Sequence, residues 1–312
     1  MDLYHLQTFQ RVAQLMSFTR AAEDLSLSQS AVSRHIEALE REFGLELFAR
    51  HGRGATLTEA GNRLLEYAER ILRMAQDASR ALGELRDLES GQLRIGASTT
   101  AGHYLLGRPV AAYQDRYPGI ALQLEVRDSR SVLRLVDEGA VDLAVLPAFE
   151  PVPGVITEPL LVDQLSLVAA PSHPLAACPA IRLEDLTGVK LFVREEGSHT
   201  RKVVEQLLAA RSVPVILREL GSTEAIKQAV AAGIGVAFCS GYAAALELQQ
   251  GALVSLSGPE LPIARHFVLA FPKGARRAPA AMAFAALLRK MLPALEDNLP
   301  VTPRRAKEVT VQ

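Results

Sequence analysis

Gln29, Ser30, Ser33 and Arg34 fall on one side of a helix that Ser28 would open. An amide, small hydroxyls and a forked guanidinium at that spacing suit contact with base edges and phosphates from a helix lying in a major groove. Arg20 stands on the short helical segment before it. Arg50 and Arg53 surround glycines in Arg50-His51-Gly52-Arg53-Gly54, a composition suited to a hairpin wing on a phosphate backbone. A second chemistry recurs farther along. Ser98-Thr99-Thr100, Ser198-His199-Thr200 and Ser222-Thr223 sit where a strand gives way to a helix, and Cys239-Ser240 follows another strand. Hydroxyls beside the open N–H groups of a helix start make an anion site. Any one such turn reads first as an N-cap without ligand; several converging on one cleft would reverse that balance.

The elements that must hold these residues are legible in outline. Leu3, Leu6, Phe9, Val12 and Ala13 mark a first helix, Ser17 caps a short second one, and Ser28 caps a third whose inner face is Ala31, Val32, Ile36, Leu39 and Phe43. Residues 1–57 show no clear strand alternation. One long helix is expected over 58–88, with Thr58 as its cap. Leu64, Ala68, Ile71, Ala75, Ala78, Leu82 and Leu85 step along it as a heptad seam, which predicts pairing with a second copy; packing on its own domain is the alternative. After Gly91 the texture changes. Strands are expected at Gln92–Ala97, Ile120–Val126, Val141–Leu146, Gln164–Ala170, Pro214–Leu220, Gly235–Phe238 and His266–Phe271, and helices at Ser131–Glu138, Thr223–Ala231 and Pro279–Leu295. Alternating strands and helices imply parallel βαβ units.

Composition bounds the class. The 312 residues are too many for one ordinary domain, and 49% hydrophobic with 22% charged suffices for a real core. Net charge is -1, and residues 1–60 hold six arginines against eight acids, so charge alone does not announce a nucleic-acid binder. Cys178 and Cys239 make neither a disulfide framework nor a metal site. Met1–His5 does not begin a secretory signal and no apolar run is long enough to span a membrane, so a cytoplasmic location and no membrane partner are expected. Gly-x-Ser-x-Gly, His-Glu-x-x-His, Walker and Gly-x-Gly-x-x-Gly motifs are lacking, which argues against an enzyme. A solute-binding protein remains a rival for residues 92–295 taken alone.

Phe18-Thr19-Arg20-Ala21-Ala22, Leu27-Ser28-Gln29-Ser30-Ala31-Val32-Ser33, Leu39-Glu40, Gly44-Leu45-Glu46-Leu47-Phe48 and Leu57-Thr58-Glu59-Ala60-Gly61 together resemble the LysR-type regulator signature, with Ser30 where many members carry proline. The resemblance implies an α/β protein overall: an all-α winged helix-turn-helix at 1–57, a linker and dimerisation helix at 58–90, and an effector domain at 91–297 of the periplasmic-binding-protein type. That domain would divide into one subdomain of about 91–161 with 267–297 and another of about 162–266, leaving 298–312 as a frayed tail. It further implies DNA contacts by Arg20, Ser28, Gln29, Ser30, Ser33, Arg34, Arg50 and Arg53. A small anionic or polar effector would lie against Ser98, Thr99, Thr100, Ser198, His199, Thr200, Ser222, Thr223 and Cys239. No cofactor or metal is expected. The implied partners are promoter DNA, further copies of the chain in a homodimer or homotetramer, and RNA polymerase as a further candidate. The runs Arg194–Arg201 and Leu220–Lys227 are similar to those in regulators of sulfur and carbon assimilation.

Overall fold

The computed structural model describes residues 1–49, 55–83, 91–274 and 277–293, with backbone alone for 76–83. The chain forms two compact units, residues 1–86 and 87–312.

In the first unit, α1 (Leu3–Leu15), α2 (Phe18–Asp24) and α3 (Gln29–Phe43) begin at polar caps. The side chains of Asp2, Ser17 and Ser28 accept from the backbone N–H groups of Tyr4, Arg20 and Ala31. Each cap satisfies a donor that the helix start leaves open. Leu6, Phe9, Val12, Val32, Ile36 and Leu39 close a shared core. Phe43, expected on the inner face, is exposed instead, because it occupies the last helical turn before Gly44, whose φ of +65° ends α3.

Alternation is not visible in the sequence of 1–57, yet a two-stranded ladder, β1 (Phe48–Ala49) against β2 (Thr56–Leu57), stands on either side of the segment expected to form a hairpin wing. Strands of two residues are too short to show alternation. Glu40 of α3 anchors the ladder by accepting from the Leu47 and Phe48 amides at 2.8 and 3.4 Å. Thr58 then caps α4 (Glu59–Gly83), accepting from Gly61 N at 3.0 Å and donating to the Glu46 carbonyl at 2.7 Å. Gly61 has no side chain for a steric reason: a Cβ there would stand 2.1 Å from the Leu47 carbonyl oxygen. Leu64, Ala68 and Ile71, the first three seam positions, pack against this unit's own core. Tyr67 and Met74, one heptad apart, are exposed. The Ala78 and Leu82 side chains, and Leu85, lie outside the described residues.

The second unit is built on one mixed sheet of nine strands. Its strands are β3 (Gly91–Ser98), β4 (Ile120–Arg127), β5 (Leu143–Pro147), β6 (Val155–Ala169), β7 (Lys190–Val193), β8 (Ile216–Glu219), β9 (Val236–Ser240), β10 (Val254–Leu256) and β11 (Ile263–Pro272). Helices α5 (Gly107–Arg116), α6 (Ser129–Asp137), α7 (His199–Ala210), α8 (Thr223–Ala231), α9 (Gly241–Gln250) and α10 (Pro279–Met291) cover it. One lobe has β4-β3-β5 in parallel and the other β9-β7-β8 in parallel. The fully buried β5 and β9 read as continuous apolar runs, as strands covered on both faces must.

The parallel βαβ pattern expected from the sequence holds within each lobe and gives way between them. β6 and β11 run antiparallel to each other, and also to β9 and β5 respectively. Both are longer than the sequence pattern indicated, because Glu158, Pro159 and Asp163 interrupt the hydrophobic run of β6, and Arg265 that of β11. The structure accommodates them. The register shifts at Phe267/Val268 past Leu160, with Pro159 opposite Val268, and Asp163 sits directly opposite Arg265. Their side chains are sealed, 0% and 3% exposed, with Arg265 donating to Asp163 Oδ2 from Nε at 3.1 Å and Nη2 at 2.5 Å. Ser240 Oγ donates to the other carboxylate oxygen at 2.9 Å.

Asp163→Ala would strand a buried guanidinium, and the second unit should lose about 3–5 kcal/mol, read as a lower urea midpoint. An unchanged midpoint would show that water reaches the pair. Gly61→Ala should destabilise the first unit by about 1–3 kcal/mol through overpacking against Leu47, read as an earlier thermal transition of that unit.

Candidate functional sites

Gln29, Ser30 and Arg34 are exposed on the first turns of α3, with Ser33 half-buried beside them. The helix start directs its open N–H groups the same way. The Ser28 hydroxyl is committed to capping Ala31 N and lies 3.0 Å from Ser30 Oγ. Arg34 uses Nε to hold the Ser30 carbonyl at 3.3 Å, which orients the guanidinium along the helix with its remaining donors outward. Arg20, exposed on α2, donates to the Leu15 carbonyl. Arg50 and Arg53 lie outside the described residues.

In the second unit a cleft of about 560 Å³ separates the lobes. Ser129, Arg130, Leu133, Leu146, Pro147 and Phe149 form one wall. The other is the loop after β7 and the first turns of α7: Glu196 to His199, Arg201, Lys202, Glu205 and Gln206. Three cations thus face two carboxylates beside an apolar wall. Arg130 pairs with Glu196 at 3.2 Å across the cleft, and Arg201 with Glu205 and Glu219 at 2.7 and 2.5 Å.

The hydroxyl turns do not all meet in this space. Ser198 and His199 line it. Ser198 makes no side-chain cap bond to α7. His199 bonds to the Ala148 backbone, while its Nδ1 is buried without a hydrogen-bond partner among the described residues. Burial, reinforced by the positive charge of Arg265, holds the His199 pKa down to about 4, so the ring is neutral at physiological pH. Thr200 instead accepts from Arg265 Nη1 at 2.8 Å, tying the start of α7 to the crossing strands. Thr99 and Thr223 converge on a different cation, Arg194, at 3.3 and 2.7 Å. Ser98 Oγ is buried with no hydrogen-bond partner among the described residues, and Thr100 precedes the short helical turn Ala101–Leu105 without capping it. Ser222 behaves as a plain N-cap, accepting from Ala225 N.

Cys239 is a correction. It is 3% exposed, packed with Val168, Phe192, Ile226 and Val230, and burial pushes its thiol up to about 12. It belongs to the core under α8 and does not line the cleft. Sequence reasoning missed the groups that organise the site: Arg194, Arg265 with Asp163, and the pair Tyr104 and Lys227. Tyr104 hydrogen-bonds Glu224 from the opposite lobe. Lys227, 4% exposed, holds Glu247 at 2.8 Å and Glu224 at 3.0 Å. Burial works against its charge, but these hydrogen bonds keep its pKa above the ordinary lysine value. Arg194 and Lys227 stood inside the two runs noted above; most of their partners are far away in sequence.

Among the described residues no helix is long and apolar enough to cross a membrane. Residues 3–62 match the bacterial regulatory helix-turn-helix of the lysR family, and residues 86–293 match the LysR substrate binding domain. A probable RuBisCO transcriptional regulator of Nostoc sp. is 39% identical over 91% of this chain and 86% of its own length. The RuBisCO operon transcriptional regulator of Allochromatium vinosum is 36% identical over 91% and 94%. Among solved structures, a full-length OxyR variant of Pseudomonas aeruginosa superposes with a TM-score of 0.70 at 25% identity, covering 93% of this chain and 95% of that one. The regulatory domain of Synechocystis CcmR, solved in complex with 2-PG, gives 0.61 at 31% identity over 64% of this chain and 97% of its own. The chain belongs to the LysR family: it is a DNA-binding transcriptional regulator with an effector-binding domain, and not an enzyme.

Proposed function

We propose that this regulator controls carbon-fixation genes, reading their promoters with α3 and answering to a small anionic metabolite, a phosphorylated carboxylate for preference, held between the lobes of the second unit. The observation that carries the effector reading is the inter-lobe cleft. The N-terminus of α7 brings Ser198 and His199 to it beside Arg130, Arg201 and Lys202, with Leu133, Leu146, Pro147 and Phe149 opposite. A helix start with cations nearby favours an oxyanion, and the apolar wall suits a short carbon chain. The names of the Nostoc and Allochromatium relatives support the target genes, and the 2-PG complex of the CcmR domain supports the ligand class.

The working assembly is a dimer, and by extension a tetramer, with a DNA-binding domain at 1–57, a linker helix at 58–90 and an effector domain at 91–297. Leu64, Ala68 and Ile71 are spent on the chain's own core, so the partner seam falls to the exposed Tyr67 and Met74. Two-fold pairing would present two α3 helices to a two-fold-related operator. Effector binding acts only as far as it favours one lobe arrangement over another.

Titrating the protein against the promoter region beside its own gene, with random duplex as competitor at fixed salt, should show specific binding. Arg34→Ala should cut the preference for that fragment about tenfold or more while leaving much of the non-specific binding. Adding 2-phosphoglycolate should change the footprint or the affinity; if neither moves, the ligand class is wrong, and if fragments selected genome-wide show no preference either, the promoter reading falls.

His199 gives a pH dependence. Its pKa is lowered from 6.5 to about 4 in the folded chain, so the unfolded chain binds more protons between those values. Stability of the second unit therefore falls as pH drops from 6.5 toward 4, and this contribution stops changing below that. His199→Gln should remove this part of the acid sensitivity, on the order of 2–3 kcal/mol, seen as a flatter urea-midpoint profile over that window. Parallel profiles for the two proteins would count against a buried neutral ring.

A further inference from the structure

We propose that an anion site centred on Arg194 is filled by the chain's own Glu195, and that an anionic effector engages the protein by replacing that carboxylate. The inference rests on the anion-sensing reading above and adds a further point of anion contact, since Arg194 does not line the cleft already described.

Arg194 follows the last residue of β7, and its side chain is only 9% exposed. A buried guanidinium needs an anion and filled hydrogen bonds. Glu195 supplies the anion through two parallel bonds, from Nε and from Nη2, each 2.7 Å. That fork-to-fork pairing is the geometry in which arginine takes a carboxylate or a phosphate from any source. The remaining bonds come from hydroxyls of both lobes: Nη1 donates to Thr223 Oγ1 at 2.7 Å, and Nη2 to Thr99 Oγ1 at 3.3 Å. Thr223 is the first residue of α8, so a helix start also faces this point. Ser98, next to Thr99, has a buried hydroxyl without a partner among the described residues. Two of the turns expected to hold an anion therefore converge on a cation that already carries one.

Glu195 is placed to leave. Its side chain is 30% exposed against 9% for Arg194, so the carboxylate lies on the solvent side of the pair. It stands in the loop between β7 and α7, outside any strand or helix. The loop is pinned two residues on, where Gly197 has φ of +96° and a Cβ would meet Asp128 Oδ1 at 2.5 Å. Rotation of Glu195 into water would leave Arg194 in place between Thr99 and Thr223. An incoming oxyanion would restore the fork, so the buried charge is paired before and after the exchange. A dianion competes better for that fork than a monocarboxylate, which favours phosphorylated ligands.

Isothermal titration of the full chain with inorganic phosphate and with 2-phosphoglycolate, in a phosphate-free buffer, tests this. Glu195→Gln keeps the size and removes the competing charge, and should bind both anions about tenfold tighter or more than wild type. Glu196→Gln makes the same charge change at the neighbouring exposed carboxylate and should shift affinity far less. Adding Arg194→Lys to Glu195→Gln keeps a positive charge, loses the fork and should cancel the gain. If wild type binds but Glu195→Gln binds no tighter, or Glu196→Gln gains as much, the internal-competitor idea is overturned while the anion-sensing reading stands. If no variant binds either anion, both are overturned.

Discussion

A guanidinium and a carboxylate sealed between two crossing strands hold the second unit together. β6 and β11 are the strands that both lobes share, and Asp163 and Arg265 face each other on them. Their placement is costly by itself, because both charges have left water. It is sustained because nearly every polar atom of the pair is used. Ser240 at the end of β9 donates to the carboxylate, and Thr200 in the first turn of α7 accepts from the guanidinium. The ion pair therefore fixes where β9 ends and where α7 begins, and the start of α7 is one wall of the inter-lobe cleft. The same positive charge helps to keep His199 neutral. A cleft wall and the joint between lobes thus meet at one buried contact, whose guanidinium adds to the burial that keeps His199 neutral.

Around that joint the second unit follows one rule: the cations near the cleft already have partners. Arg130 has Glu196, Arg201 has Glu205 and Glu219, Lys202 has Glu150, Arg194 has Glu195, and Lys227 has Glu224 and Glu247. Such a surface is not a bare electropositive funnel. A ligand gains by exchange, so its affinity is the difference between two pairings and not the full strength of one. Arg130–Glu196, Arg194–Thr99 and Tyr104–Glu224 also cross from one lobe to the other. Displacing any of these partners changes a contact that bears on lobe spacing.

Legibility in the sequence followed the range of the interactions. Ser17, Ser28 and Thr58 are caps whose acceptors and donors sit three residues apart, and the N-terminal elements were readable for that reason. Ser222 was readable only as a cap, which is what it is. The partners of Thr99, Thr200 and Thr223 are arginines 95, 65 and 29 positions away, so hydroxyl-rich turns showed where polar contacts gather without showing what they contact. β6 was shortened in the sequence reading because Asp163 looks like a strand terminator until Arg265 is placed opposite it. Cys239 misled in the reverse sense. Its position after a strand suggested a site, but a side chain alternating into the space under α8 cannot reach one.

The two units raise the same question of how far one contact can bias another. A ligand shifts an equilibrium by no more than its difference in affinity for the two arrangements. In the second unit that difference can arise where an anion competes with a carboxylate whose arginine also bridges the lobes, because breaking or keeping the Arg194–Thr99 bond distinguishes the arrangements energetically. Under the proposed exchange, the pre-paired cations, which lower raw affinity, are what would let binding be converted into a change of lobe spacing.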